Sequence, residues 1–248
     1  MKRVAVVAAC PALHSEAASL ADELSLPLSR CGGDFDGLLE LSDAGLSLRA
    51  TGKAAPGPLR VDFSDPGLLH RRRSGHNEPL GRALGLHKWP GMAVVDATAG
   101  LGRESFVMAD LGARVTMLER HPVVFALLRD GLRRGRASDD PRVAGLCQRL
   151  ELFRADSVQW LQGRTIEGVY LDPMFPPSRK SARAKKGMWL FQQLLESGVQ
   201  DDALLAAALA SSQRRVVVKR PLKAAPLQDL TPGFSLAGKT VRFDVYAR

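Results

Sequence analysis

The stretch Ala93-Val94-Val95-Asp96-Ala97-Thr98-Ala99-Gly100-Leu101-Gly102-Arg103-Glu104 decides the reading of this chain. A short apolar run ends on an acid. A tight turn with two glycines follows, and then helix-compatible sequence from Glu104 to Leu111. The pattern is a strand, a glycine loop and a helix start. Glycine has no Cβ, so a ligand can approach the backbone of such a loop closely. The first turn of the helix adds unpaired N–H groups and the positive end of its dipole. Asp96, Gly100, Gly102, Arg103 and Glu104 are therefore candidates for holding a nucleotide-type cofactor.

Outward from this stretch the pattern alternates. Strands are expected at Arg114–Leu118, Leu150–Arg154, Gly168–Leu171, Arg215–Lys219 and Val241–Ala247. Helices are expected at Pro79–Leu86, Pro122–Arg136, Ser157–Leu161, near Trp189–Glu196 and at Asp202–Ser211. Repeated βα units imply an α/β fold with a mostly parallel, Rossmann-like sheet and ligands at the C-terminal strand ends. The last strand follows no long helix, so it is expected antiparallel, beside Arg215–Lys219. Upstream, Arg3–Ala9 reads as a strand and Ser15–Leu24 as a helix capped by Ser15. Leu38–Ser42 and Leu46–Ala50 flank a hairpin signal, and Leu59–Phe63 alternates like a further strand. The chain thus divides into a small α+β unit at residues 1–63 and a larger α/β domain at 64–248.

Acids recur at the strand ends: Asp96, Glu119, Asp156 and Asp172. Glu119 suits two ribose hydroxyls, and Asp156 suits an adenine amine. A dinucleotide fingerprint would place a third glycine where Ser105 stands, which argues against NAD. The shorter turn suits a cofactor without a pyrophosphate, such as S-adenosylmethionine.

Tyr170-Leu171-Asp172-Pro173-Met174-Phe175-Pro176-Pro177 is similar to the Asp-Pro-Pro-Tyr motifs of methyltransferases that act on exocyclic base amines. An aromatic amine is a poor nucleophile because its lone pair is delocalised. Asp172 and the carbonyl of Pro173 would accept its two hydrogens and help carry the positive charge of the transition state. Phe175 would stack on a base taken out of its helix, and the prolines would preorganise the loop.

The 248 residues carry 35 Lys and Arg against 26 Asp and Glu, a formal net charge of +9. That excess favours an anionic partner, nucleic acid first. Arg179, Lys180, Arg183, Lys185 and Lys186 follow the proline loop with no acid among them, and Lys219 and Arg220 end the next strand. All seven are candidate phosphate contacts. His70-Arg71-Arg72-Arg73 reads as a solvated face or another such contact. Cys10, Cys31 and Cys147 show no metal-ligand spacing and read as free thiols. No apolar run is long enough to span a membrane, and the run Val4–Ala9 is short for a signal-peptide core. The expectation is a cytoplasmic protein with no bound metal.

Together, DATAGLGRE, MLERHPVV, YLDPMFP, RVVVKRP and the terminal RFDVYA resemble the bacterial small-subunit ribosomal RNA guanine-N2 methyltransferase family called RsmJ. The resemblance runs from about Leu59 onward and is weaker before it. It implies a class I, S-adenosylmethionine-dependent methyltransferase fold and methylation of a guanine amine in 16S ribosomal RNA. It also implies cofactor contacts at Arg103 and Glu104, Glu119 and Arg120, Asp156 and Ser157, and Asp172. The residues themselves leave two alternatives: a DNA adenine or cytosine amine methyltransferase, and a non-catalytic RNA-binding protein with a relic cofactor fold. The intact Asp172 and Phe175 argue against the relic.

Overall fold

The structure is a computed structural model that describes residues 3–30, 34–52, 55, 57–73, 78–173 and 201–247. For 70–73, 78, 201 and 202 it describes the backbone alone. The chain forms two compact units. Of the described residues, those up to Asp62 and His121–Arg134 belong to the first, and those of Phe63–Arg120, Gly135–Pro173 and 201–247 to the second.

In the first unit, β1 (Val4–Ala8) lies between β2 (Leu28–Ser29) and β3 (Gly37–Ser42), parallel to both. The turn after β3 enters β4 (Gly45–Ala50), antiparallel, with Gly45 at φ +100°. That positive φ is where glycine is required. Helix α1 (His14–Leu24) starts after Leu13, which makes no side-chain cap bond, so Ser15 lies inside the helix and does not cap it. The expected strand at Leu59–Phe63 reduces to a single antiparallel bridge between Leu59 and Leu48. Its alternation has another cause. Val61 packs on Gly131 in the first unit, and Phe63 stacks on Phe106 in the second, ring centroids 5.2 Å apart.

The division into units is not a single cut near residue 63, because a long helix contributes most of its length to the first. In the chain order α2 (Pro66–Arg73), α3 (Glu78–Leu84), α4 (Arg103–Asp110), α5 (Pro122–Arg136), this is α5. Asp130 on α5 accepts from the backbone N–H of Leu46 at 2.9 Å and from Arg134 Nε at 2.9 Å. Gly131 lets α5 close on Val61: an added Cβ would fall 2.7 Å from Val61 Cβ. Arg129 makes a two-pronged ion pair with Glu23 at 2.7 Å.

In the second unit, the strands are β5 (Ala93–Asp96), β6 (Arg114–Glu119), β7 (Leu150–Arg154), β8 (Ile166–Leu171), β9 (Ser212–Pro221), β10 (Phe234–Ala237) and β11 (Val241–Ala247). Their order among the described residues is β10-β11-β9-β8-β5-β6-β7. The strands β7, β6, β5, β8 and β9 are mutually parallel. As expected, β11 is antiparallel to β9, and β10 pairs antiparallel with β11. The order reverses at β5, which lies between β6 and β8, and ligands of open α/β sheets bind at such a switch point. Val95, Val169, Leu171, Val216 and Val218 build the core of one sheet face with Leu205 of α8 (Asp201–Ser211), the helix that follows α6 (Pro141–Cys147) and α7 (Ser157–Leu161).

Two described helices went unread in the sequence. Helix α6 had a legible start: Asp140 caps it by accepting from the N–H groups of Arg142 and Val143, with Pro141 in its first turn. Helix α2 takes up the His70–Arg73 charge run. The expected helix near Trp189–Glu196 lies outside the described residues.

Candidate active site

The strand-end residues meet in the second unit, at the C-terminal edge of β5, β6, β8 and β9. Asp96 closes β5 and is almost wholly buried, 1 % exposed. Its Oδ2 accepts from Ser105 Oγ at 2.5 Å, and its Oδ1 accepts from the N–H of Thr98 at 3.1 Å. Burial pushes its pKa up from 3.8 to about 7, against the lowering effect of these hydrogen bonds; the nearby Asp172 and Glu104 push it further up. Ser105 thus has its own task. Where a dinucleotide fold would use glycine, this chain puts a hydroxyl that ties α4 to the end of β5.

The glycine turn has Gly100 at φ +53° and Gly102 at φ +71°. Among the described residues, an added Cβ at Gly100 would have only the Thr98 carbonyl oxygen, at 3.8 Å, within 4 Å. Gly102 precedes the first residue of α4, Arg103, which is exposed. Glu119 at the end of β6 accepts from the N–H of Gly100 at 3.2 Å and so braces the turn. Arg120 beside it is exposed.

Asp156 and Ser157 serve α7. Asp156 caps it by accepting from the N–H of Gln159 at 3.1 Å, and Ser157 Oγ donates to the Ala97 carbonyl at 2.6 Å. The second bond fastens the start of α7 to the segment that follows β5.

Asp172 follows β8. Its backbone N–H donates to Thr98 Oγ1 at 2.7 Å, and its Oδ2 accepts from Lys219 Nζ at 2.8 Å. Lys219, on β9, also donates to Glu104 Oε1 at 2.8 Å. Burial alone would lower the pKa of Lys219, but the charges of Glu104 and Asp172 and its bonds to them outweigh this and raise it. Pro173 is buried.

The structure gives Lys219 and Arg220 other partners than the phosphates expected of them. Lys219 is held between two carboxylates. Arg220 is 7 % exposed, and its Nε and Nη2 both donate to the Ala225 carbonyl. Two adjacent cations in sequence look like a surface patch, yet one bridges two carboxylates and the other bonds a loop carbonyl. Phe175, Arg179, Lys180, Arg183, Lys185 and Lys186 lie outside the described residues. Thr98 was missed in the sequence. A threonine two residues past a strand-end acid carries no signal of its own, and its role appears only when Asp172 is brought to it. Among the described residues, no group of three or more His, Cys, Asp or Glu is placed to hold a metal ion, and no helix is long and apolar enough to cross a membrane.

A sheet that reverses at β5, a glycine turn into α4, an acid at the end of β6 and an Asp-Pro pair after β8 define a class I methyltransferase. The comparisons with known proteins agree. The family described as "Putative SAM-dependent methyltransferase" matches residues 21–248. The ribosomal RNA small subunit methyltransferase J of Pseudomonas syringae pv. syringae is 41% identical over 251 residues, covering 99% of this chain and 92% of its own. That of Thioalkalivibrio sulfidiphilus is 44% identical over 250 residues, covering 98% and 97%. The crystal structure of an SAM-dependent methyltransferase from Neisseria gonorrhoeae matches with a TM-score of 0.76 and 31% identity, covering 98% of this chain and 95% of that one. This chain belongs to the ribosomal RNA small subunit methyltransferase J family. It is accordingly an S-adenosylmethionine-dependent enzyme.

Proposed function

We propose that this enzyme methylates the exocyclic N2 amine of a guanine in 16S ribosomal RNA, with S-adenosylmethionine as the methyl donor. The observation that carries the reading is the placement of Asp172-Pro173 at the end of β8, held to the β5 end through Thr98 and next in the sheet to the glycine turn. The named relatives support ribosomal RNA as the substrate.

The residues present fit the cofactor. The glycine turn, with Gly100 open among the described residues, and the N-terminus of α4 would take its amino-acid part, with Asp96, Gly102, Arg103 and Glu104 around it. Glu119 would accept from the ribose hydroxyls, flanked by Arg120, and the Asp156-Ser157 corner would take the adenine. When bound, S-adenosylmethionine supplies a methyl group made electrophilic by its sulfonium. Asp172 and the Pro173 carbonyl accept the two amine hydrogens of the base, which directs the lone pair away from the ring. Positive charge grows on that nitrogen during transfer, so these acceptors act most strongly in the transition state. No base is needed before attack, because the methylated amine is acidic; Asp172 or water then takes the proton. Phe175 would stack on the base. Arg179, Lys180, Arg183, Lys185 and Lys186 would hold the flanking phosphates. Their neutralisation should flatten the salt dependence of RNA binding by a slope of about 0.7–0.9 for each phosphate no longer neutralised.

The test is to incubate the enzyme with labelled cofactor and, separately, DNA, naked 16S ribosomal RNA and small ribosomal subunits, then to identify the modified nucleoside by mass spectrometry. N2-methylguanosine from either RNA substrate is the expected product. Methyl on a ring carbon or a ribose overturns the mechanism, and methyl on adenine overturns the choice of base.

A further inference from the structure

Three carboxyl groups converge on one point of the second unit. Asp96 comes from the end of β5, Glu104 from the first turn of α4, and Asp172 from beyond β8. The cation bonded to two of them is Lys219 of β9, 2.8 Å from Glu104 Oε1 and 2.8 Å from Asp172 Oδ2. Its side chain is 21% exposed, and those of Glu104 and Asp172 are 16% and 33% exposed. Charges this sheltered interact more strongly than surface pairs do.

The bonds form a loop through four elements. Asp172 is held by its backbone on Thr98 and by its side chain on Lys219. Lys219 is held in turn by Glu104, whose neighbour Ser105 bonds Asp96; Thr98 bonds Asp96 from the other side. Without Lys219, three acids would share a largely buried space and the Asp172 carboxylate would lose the Nζ bond that ties it to Glu104. A carboxylate that must accept amine hydrogens has to be both ionised and fixed in orientation, since donors and acceptors act through preorganisation. A phosphate ligand would instead be an exposed cation with its charge unmatched, which Lys219 is not.

We infer that Lys219 is the positioning residue of the transfer site: bridging Glu104 and Asp172, it fixes the Asp172 carboxylate and keeps it ionised beside the other acids. The inference rests on the acceptor role assigned to Asp172 above. Among the described residues, the groups facing Lys219 are Glu104 from α4 and Asp172 from beyond β8, with Asp96 from β5 behind them.

The test compares Lys219→Met, Lys219→Gln and Lys219→Arg in the full-length enzyme with ribosomal RNA. The methionine variant should lose about ten- to a hundredfold in kcat, the scale of a misplaced catalytic group. Its KM for RNA and the salt slope of RNA binding should stay within about twofold of wild type, because no phosphate ligand is removed. The acid limb of its kcat–pH profile should move up by about one pH unit or more, since a carboxyl deprived of a nearby cation is harder to ionise. The glutamine variant keeps a hydrogen-bond donor without the charge and should show the same upward movement, so it carries the test should the methionine variant not fold. Lys219→Arg restores the charge and should leave the acid limb at the wild-type pH. An unmoved acid limb in a folded neutral variant overturns the inference. So does a loss confined to KM with a flattened salt slope, which would make Lys219 a phosphate ligand. Asp172→Asn separates the two levels: a slow Asp172→Asn with a near-normal Lys219→Met removes only Lys219's role, whereas a near-normal Asp172→Asn removes the reading of Asp172 itself.

Discussion

Asp96→Asn should make the protein less sensitive to pH, and the size of the effect follows from the burial of one carboxyl. In the folded enzyme Asp96 titrates near pH 7 because burial disfavours its charge, whereas an unperturbed carboxyl titrates at 3.8. Between those values the folded state holds a proton that the unfolded chain has released. Stability changes with pH in proportion to the protons bound in the unfolded state minus those in the native state. That difference is negative here, so Asp96's contribution is fully present below about pH 4 and is lost as pH rises towards 7. At about 1.4 kcal/mol per pH unit the whole window amounts to about 4 kcal/mol, of which about 3 kcal/mol falls between about pH 5 and pH 8. Asparagine is nearly isosteric and preserves both local bonds. Its carbonyl accepts from Thr98 N–H, and its amide donates to Ser105 Oγ. The stability difference between variant and wild type, measured by urea denaturation across that range, should therefore move in the variant's favour as pH rises. A difference that stays flat would show that Asp96 ionises normally in the fold and would refute the reasoning.

Glu119→Ala should weaken S-adenosylmethionine binding by about 1.5–3 kcal/mol, the cost of losing charge-assisted bonds, read by calorimetry. Tight NAD binding in place of S-adenosylmethionine binding would remove the cofactor assignment. Asp172→Ala should cut turnover while leaving RNA affinity nearly intact, because its bonds strengthen only as the amine gains charge; single-turnover kinetics beside a binding isotherm separate the two. Gly131→Ala should destabilise the protein by about 1–3 kcal/mol through overpacking against Val61, although alanine is the better helix former by about 1 kcal/mol. An unchanged or raised melting temperature would mean that α5 and Val61 do not pack as described.

The fold could be read from the sequence because its signals are local. An apolar run ending in Asp96, two glycines and a helix-forming stretch report strand, turn and helix whatever surrounds them. Pro122 marks the start of α5, and the absence of a long helix before Val241 marks β11 as antiparallel. The same local rules misled at Leu59–Phe63, where alternate residues are buried by different neighbours and not by one sheet face. They also could not assign residues 121–134 to the first unit, because that grouping depends on Asp130 and Gly131 meeting the Leu46 turn and Val61.

The sequence by itself determined the alternating βα order, the acids at the strand ends and the Asp-Pro pair that names the chemistry. Only the tertiary structure decided which partner each of these residues has. Lys219 is 115 residues from Glu104 and 47 from Asp172, and Thr98 is 74 from Asp172. No periodicity or propensity encodes pairings across such distances. They exist because β5, β8 and β9 lie side by side, which brings their C-terminal ends within hydrogen-bonding reach. Composition counts a lysine beside an arginine as two positive charges; the sheet order makes the first a bridge between two carboxylates and buries the second against a loop carbonyl.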